Sequence, residues 1–180
     1  MKKIILVLML CMSLGISFAQ TDKGDWMVGG MIDLNTGKNS THIGFTPNAG
    51  TFLFQNFAVG GNILLDYLKS GDTRVTEFGL GPFARYYFTQ HKARPLVHAN
   101  VNYLSSKVKA PGFTSTNTGT NLFLGGGIAY FINQNVSLEG LLGYSNTKYK
   151  DFEGSGGLNI SIGFQVYLSK REVETKGSDN

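Results

Sequence analysis

The sequence holds one cysteine, Cys11, and four prolines in 180 residues. Cys11 lies in MKKIILVLMLCMSLGISFA, which has Lys2 and Lys3 at its start, a short apolar core, and Ser17-Phe18-Ala19 at its end. That order predicts a secretory signal peptide over 1–19, with cleavage after Ala19. A lipoprotein signal needs Gly or Ala before its cysteine; Leu10 stands there, which excludes lipid attachment at Cys11. The expected mature chain therefore has no disulfide and no thiol chemistry. Long apolar runs are missing too, since a membrane helix needs about 20 residues. Charge is scarce at 16%. Without Lys2 and Lys3, 14 basic residues face 12 acidic ones, a net of +2 that gives no argument for nucleic acid. No segment from Gln20 onward keeps a helical period, which excludes a helical bundle.

What is present is glycine, at 24 residues, and aromatics, at 12%. Apolar residues recur at i, i+2, i+4 between turn-like clusters, the pattern of amphipathic strands. Eight such segments are expected, near 24–35, 41–54, 57–68, 74–88, 95–105, 119–131, 135–147 and 157–168. The last one illustrates the pattern: Leu158, Ile160, Ile162, Phe164, Val166 and Leu168 alternate with Asn159, Ser161, Gly163, Gln165 and Tyr167. Pro47-Asn48-Ala49-Gly50 predicts a bulge or kink in the second segment, with a shift of side-chain phase, because proline cannot donate to a ladder. The connections at 55–56, 89–94 and 132–134 are short. Those at 36–40, 69–73, 106–118 and 146–156 include two longer polar stretches. One end of tight turns and one end of free loops is the expectation.

Periodicity alone does not say whether the apolar face points into a soluble core or out to lipid. Three features favour lipid. The polar face is mostly Gly, Asn and Ser, unlike a water-facing surface. Aromatics gather in two bands, Trp26, Phe57, Tyr86, Phe88 and Tyr130 at one end and Tyr67, Phe78, Tyr103 and Tyr144 at the other, as expected at two membrane interfaces. The segments also reach the about 9–11 residues that a tilted membrane strand needs, where soluble strands centre on about 5–6. The fold class expected is all-β, an eight-stranded antiparallel up-and-down transmembrane barrel over 20–168, closed so that no backbone edge meets lipid.

Ser161-x-Gly163-x-x-Val166-x-Leu168 resembles the C-terminal assembly signal of bacterial outer-membrane barrels. The chain from Gly24 to Leu168 resembles the small eight-stranded family of OmpA-barrel, OmpX and OmpW type, porin-family outer-membrane β-barrel proteins. The resemblance implies insertion by the barrel-assembly machinery, a monomer in the outer membrane, termini in the periplasm and longer loops outside the cell. Many members end on an aromatic residue of the last strand. Here Leu168 is followed by a polar segment, 169–180, expected to hang disordered in the periplasm.

Asp66, Glu77, Arg85 and Glu139 fall on the inward face. They are expected to form a structural polar network, because eight strands enclose a space that side chains nearly fill and buried charges need partners. Inward glycines, among them Gly79, Gly81, Gly125 and Gly143, are expected to make room for Arg85, Tyr87 and Tyr167. Met27, Met31, Leu64, Phe83 and Phe123 also face inward. Lys38, Lys69, Arg74, Lys107, Lys109, Lys148 and Lys150 outnumber Asp72, Asp151 and Glu153 at the loop end, and are candidates for contact with outer-leaflet lipid phosphates, including lipopolysaccharide. His42, His91 and His98 are scattered and show no metal-ligand spacing. Gly79-Leu80-Gly81-Pro82-Phe83-Ala84 sits inside a strand and opens no helix, so it is not a dinucleotide turn. No catalytic, cofactor or metal site is expected. The function read from the sequence is a non-enzymatic barrel with a structural or surface-contact role in envelope integrity, adhesion or host contact. A narrow channel for small or hydrophobic solutes is the alternative, and a lipid-modifying enzyme is third.

Overall fold

The structure is a computed structural model that describes residues 21–36, 40–150 and 153–170. Among these, eight strands form one closed barrel: β1 (Trp26–Thr36), β2 (Ser40–Phe54), β3 (Phe57–Ser70), β4 (Thr73–Tyr87), β5 (Ala93–Ala110), β6 (Phe113–Phe131), β7 (Val136–Tyr149) and β8 (Ser155–Leu168). Each strand pairs antiparallel with the next, and β8 closes on β1 through pairs such as Trp26 with Leu168 and Ile32 with Ile162. The expected signal peptide and residues 171–180 of the expected tail lie outside the described residues. Lys170 is described, and its backbone N–H donates to Asp25 Oδ1 at 3.1 Å, which holds the chain after β8 against the start of β1.

The apolar face points outward. Ile162, Leu124 and Leu80 are 68%, 64% and 59% exposed, whereas Met27, Tyr87 and Tyr167 inside are fully buried. A water-soluble protein would bury the first set, so the solvent outside the wall is lipid. The two aromatic bands also lie on the outer surface: Trp26, Tyr86, Phe88 and Tyr130 toward the end that carries residue 26, and Tyr67, Phe78, Tyr103 and Tyr144 toward the other.

Three expectations need correction. Pro47 causes no bulge in the side-chain phase: Phe45 opposite Leu65 and Asn48 opposite Asn62 keep one offset, and Phe52 points inward. The shift falls between Phe52 and Phe54, just before the two-residue turn in which Asn56 takes φ +66°. Asn tolerates this left-handed conformation, so the turn can be tight. The stretch 106–118 is no free loop either. β5 and β6 continue through it as a hairpin, paired out to Ala110 and Phe113. Pro111 pre-sets the turn, and Gly112 at φ +75° takes the position that needs a positive φ. Strands β3 and β4 likewise meet across Gly71 and Asp72 alone. Thus strand extension, rather than loop length, distinguishes this end of the barrel. Finally, the inward glycines make room for other side chains than expected. A Cβ at Gly125 or Gly143 would lie 2.7 or 2.5 Å from Phe123 Cζ, and one at Gly79 would lie 2.5 Å from Leu104 Cδ2.

Candidate functional site

The lumen has two halves. At the end bearing the chain's first described residues it is a solid floor. Each strand sends in one side chain that is at most 2% exposed: Met27, Phe52, Ala58, Tyr87, Arg94, Phe131, Ser137 and Tyr167. Phe131 packs on Tyr167 with ring centroids 4.9 Å apart, and the Arg94 guanidinium lies 4.2 Å over the Phe131 ring. Arg94 donates from Nη1 to Thr21 Oγ1 (2.9 Å), from Nε to the His91 carbonyl (3.1 Å) and from Nη2 to the Gln90 carbonyl (3.2 Å). It thereby ties the 88–92 connection to the chain before β1.

Just above, Arg85 of β4 reaches across to Glu139 of β7, Nη1 to Oε2 at 2.7 Å, with both side chains wholly buried. Glu139 Oε1 also accepts from Tyr167 (3.0 Å), Tyr87 (3.2 Å) and Ser137 (3.3 Å). A buried ion pair is tolerated when hydrogen bonds satisfy its remaining atoms; here three hydroxyls complete the carboxylate, and Arg85 Nη2 is left without a partner among the described residues. Arg85 Nε donates to His98 Nδ1 at 3.2 Å. His98 Nε2 lies 3.2 Å from the Asn100 amide, from which a chain of side-chain amides continues through Asn102 to Asn62.

Beyond Arg85 the lumen widens into a cup of about 610 Å³. It extends from Arg85 and His98 at its base to Glu153 of the β7–β8 connection and Ser155 at the start of β8, at its mouth. Its walls carry Asn48, Asn62, Asn100, Asn102, Asn121 and Asn159, with Met31, Leu64, Leu104, Phe123 and Leu141 as apolar patches. Asp33, Asp66 and Glu77 stand in the upper wall. Asp33 Oδ1 accepts from Ser161 (2.7 Å) and Asn159 (3.2 Å), Asp66 lies 3.5 Å from His42 Nε2, and Glu77 accepts from the Tyr149 hydroxyl.

The four charges expected to form one network are therefore divided. Arg85 and Glu139 pair at the floor; Asp66 and Glu77 sit opposite each other across the β3–β4 ladder in the cup. Lys38 lies outside the described residues. Lys69, Arg74, Lys107, Lys109 and Lys148 are exposed on the outer face of their strands, and Lys150 is exposed just past β7. Lys69, Arg74 and Lys109 share one row across β3, β4 and β5. Arg74, Lys107 and Lys109 flank an outer groove of about 440 Å³ whose lower rim is Tyr67 and Phe78. His98 points into the lumen, whereas Ser105 of the same strand lines this outer groove, so the two do not meet. Among the described residues, no group of three or more His, Cys, Asp or Glu side chains is arranged to hold a metal ion.

A family model described as the outer membrane protein beta-barrel domain matches residues 4–169. The chain belongs to this family. Solved structures of similar fold include the following three. The N-terminal β-barrel domain of Pseudomonas aeruginosa OprF has a TM-score of 0.57 at 14% identity, over 81% of this chain and 98% of that one. Ail, the attachment invasion locus protein of Yersinia pestis, has a TM-score of 0.54 at 12% identity, over 81% and 99%. Neisserial surface protein A has a TM-score of 0.50 at 21% identity, over 80% and 97%. No curated protein matches the sequence. At these identities the shared property is the fold, an outer-membrane barrel with a closed wall.

Sequence reasoning missed Arg94 and Tyr149. Arg94 falls in what reads as a turn, and Tyr149 in what reads as a loop. The signal for both was available, because each keeps the inward phase of its strand if that strand is extended by a few residues.

Proposed function

We propose that this outer-membrane barrel does not conduct, and acts as a structural and surface-contact element of the envelope. The observation that carries this reading is the floor: eight inward side chains, one per strand, of which none is more than 2% exposed. A steady aqueous pore would have to wet them. The alternative reading, a narrow channel for small or hydrophobic solutes, would need the Arg85–Glu139 pair and the aromatic layer below it to move aside together. The protein has no catalytic role in this proposal. It inserts as a monomer through the barrel-assembly machinery, with the floor and both termini on the periplasmic side and the extended β5–β6 hairpin outside the cell. Ail, named for attachment and invasion, offers a precedent for the fold serving surface contact.

The lipid contact of the outer face belongs to the same reading. Lys69, Arg74 and Lys109 lie side by side in the ladder, directly above the aromatic band. Like charges opposite one another are unfavourable, and among the described residues no carboxylate forms an ion pair with them. Anionic headgroup phosphates of the outer leaflet, lipopolysaccharide included, would relieve that repulsion. Planar-bilayer recording tests the main reading. The expected trace is flat, and steady single-channel currents would overturn it. Unchanged binding to lipopolysaccharide-containing vesicles after Lys69, Arg74 and Lys109 are replaced by Ala would remove the lipid contact.

A further inference from the structure

We infer that the cup is a binding site for a small organic polycation, a molecule with two or more ammonium groups. This goes beyond the surface role above and does not depend on the outer basic face. Asp33, Gly44, Asp66 and Glu77 occupy one register row across β1, β2, β3 and β4. Three of the four positions carry a carboxylate, and the fourth carries no side chain. A Cβ at Gly44 would stand 2.4 Å from Asp66 Oδ1 and 3.2 Å from Asp33 Cβ, so the two acids come together over this position only because residue 44 is glycine.

Acidic residues opposite each other on neighbouring strands destabilise a sheet, and Asp66 faces Glu77 in this way. The protein answers them with hydrogen-bond donors, Asn159 and Ser161 on Asp33 and Tyr149 on Glu77, and with the imidazole of His42 beside Asp66. It places no lysine or arginine among them: Lys69 and Arg74, in the same two strands, point outward. Part-buried carboxylates in one row with no lysine or arginine beside them carry a like-charge cost, and conflicts of this kind are expected at functional positions.

A second observation comes from the amides below the row. Asn48 and Asn62, opposite each other on β2 and β3, are 8% and 4% exposed and line the cup. Oδ1 of each has no hydrogen-bond partner within the protein. A primary ammonium has three N–H donors and no acceptor, so it complements the carboxylates directly and the two amide oxygens once those side chains turn toward it. The cup's volume lies within the range of about 300–1,000 Å³ usual for small-molecule sites. Arg85 at the base repels a cation and confines it to the upper half. The acceptors are spread over several strands and not gathered into a metal-ligand group, which favours an extended organic cation over a single metal ion.

The test is calorimetric titration of the full folded chain in detergent with spermidine, each protein first checked for heat-modifiable gel migration. Saturable binding is expected. It should weaken about tenfold or more in the Asp33→Asn, Asp66→Asn, Glu77→Gln triple variant and in Gly44→Leu, which pushes the two acids out of place. It should persist in Lys69→Ala, Arg74→Ala. Should the triple variant fail the migration check, the single variants Asp66→Asn and Glu77→Gln carry the same test. Absence of saturable binding to the folded wild type, equal binding by folded acid-neutralised variants, or complete displacement of spermidine by an equal concentration of magnesium would each overturn the proposal. Bilayer recording reads the conduction question separately, so the two can fail independently.

Discussion

The floor and the cup use the same kinds of residue to opposite ends. At the floor, one carboxylate meets one guanidinium and three hydroxyls, with both charged side chains wholly buried. In the cup, three carboxylates share a register row and are answered by an imidazole from outside that row and by neutral donors, while Lys69 and Arg74 of the same strands face outward and Arg85 lies at the base. At the floor every partner of Glu139 comes from the wall itself, and Arg85 Nη2 is the atom of the pair left without a partner. In the cup the acids have no guanidinium or ammonium of the wall beside them. Charge in a β-barrel lumen is thus no indicator of function until its partners are known, and alternation along a strand does not name partners.

The largest expected effect lies at the floor. Glu139→Ala leaves Arg85 buried without a counter-charge, which should cost about 3–5 kcal/mol of stability. Replacing both partners by apolar residues of similar volume, Arg85→Met with Glu139→Leu, should recover most of that loss. Urea unfolding followed by heat-modifiable migration measures both. If the single variant loses no more than the double variant, the pair is not what holds the floor.

A smaller effect is expected at the wall between the two halves. Gly143 leaves room for Phe123 and for the backbone of β6: a Cβ there would lie 2.5 Å from Phe123 Cζ and 2.6 Å from the Leu124 carbonyl oxygen. The ring can turn, but the carbonyl belongs to the ladder. Gly143→Ala should therefore destabilise by about 1–3 kcal/mol through overpacking. The same substitution at Gly140, whose Cβ would meet nothing within 4 Å, should be close to neutral. Equal losses at the two positions would mean that backbone entropy, and not space, sets the glycine requirement.

The barrel and its facing were legible because lipid outside enforces a strict period of two over long segments. Trp26, Val28 and Ile32, or Leu158 to Leu168, can be read only one way once the solvent is known. The hairpin over 106–118 was not legible by the same rule, since neither of its faces there is consistently apolar. Its signals were of another kind: β-branched Thr114, Thr116, Thr118 and Thr120 at strand spacing, and the Pro111-Gly112 turn. The site was legible by face and not by height. Inward placement of Asp66, Glu77, Arg85 and Glu139 follows from alternation. Pairing Arg85 with Glu139, 54 residues away across the lumen, requires the register of four strands and the shear of the closed barrel. So does the row that brings Asp33 beside the other two acids.

The smallest expected effect has the opposite sign from the floor and therefore separates the two halves most clearly. Glu77→Gln removes one of two opposed negative charges while keeping an oxygen that can accept from Tyr149. Relief of a like-charge cross-strand pair is worth about 0.2–1 kcal/mol, so the variant should unfold at slightly higher urea than the wild type when no polycation is present. Adding spermidine should reverse the order, because a ligand that binds only the folded state stabilises the protein that holds it more tightly. A variant less stable than wild type without ligand would mean that Glu77 is a structural residue like Glu139, held by Tyr149 for the sake of the fold. A crossing of the two stabilities would mean that the wall keeps its acids at a cost to itself, for a partner it does not contain.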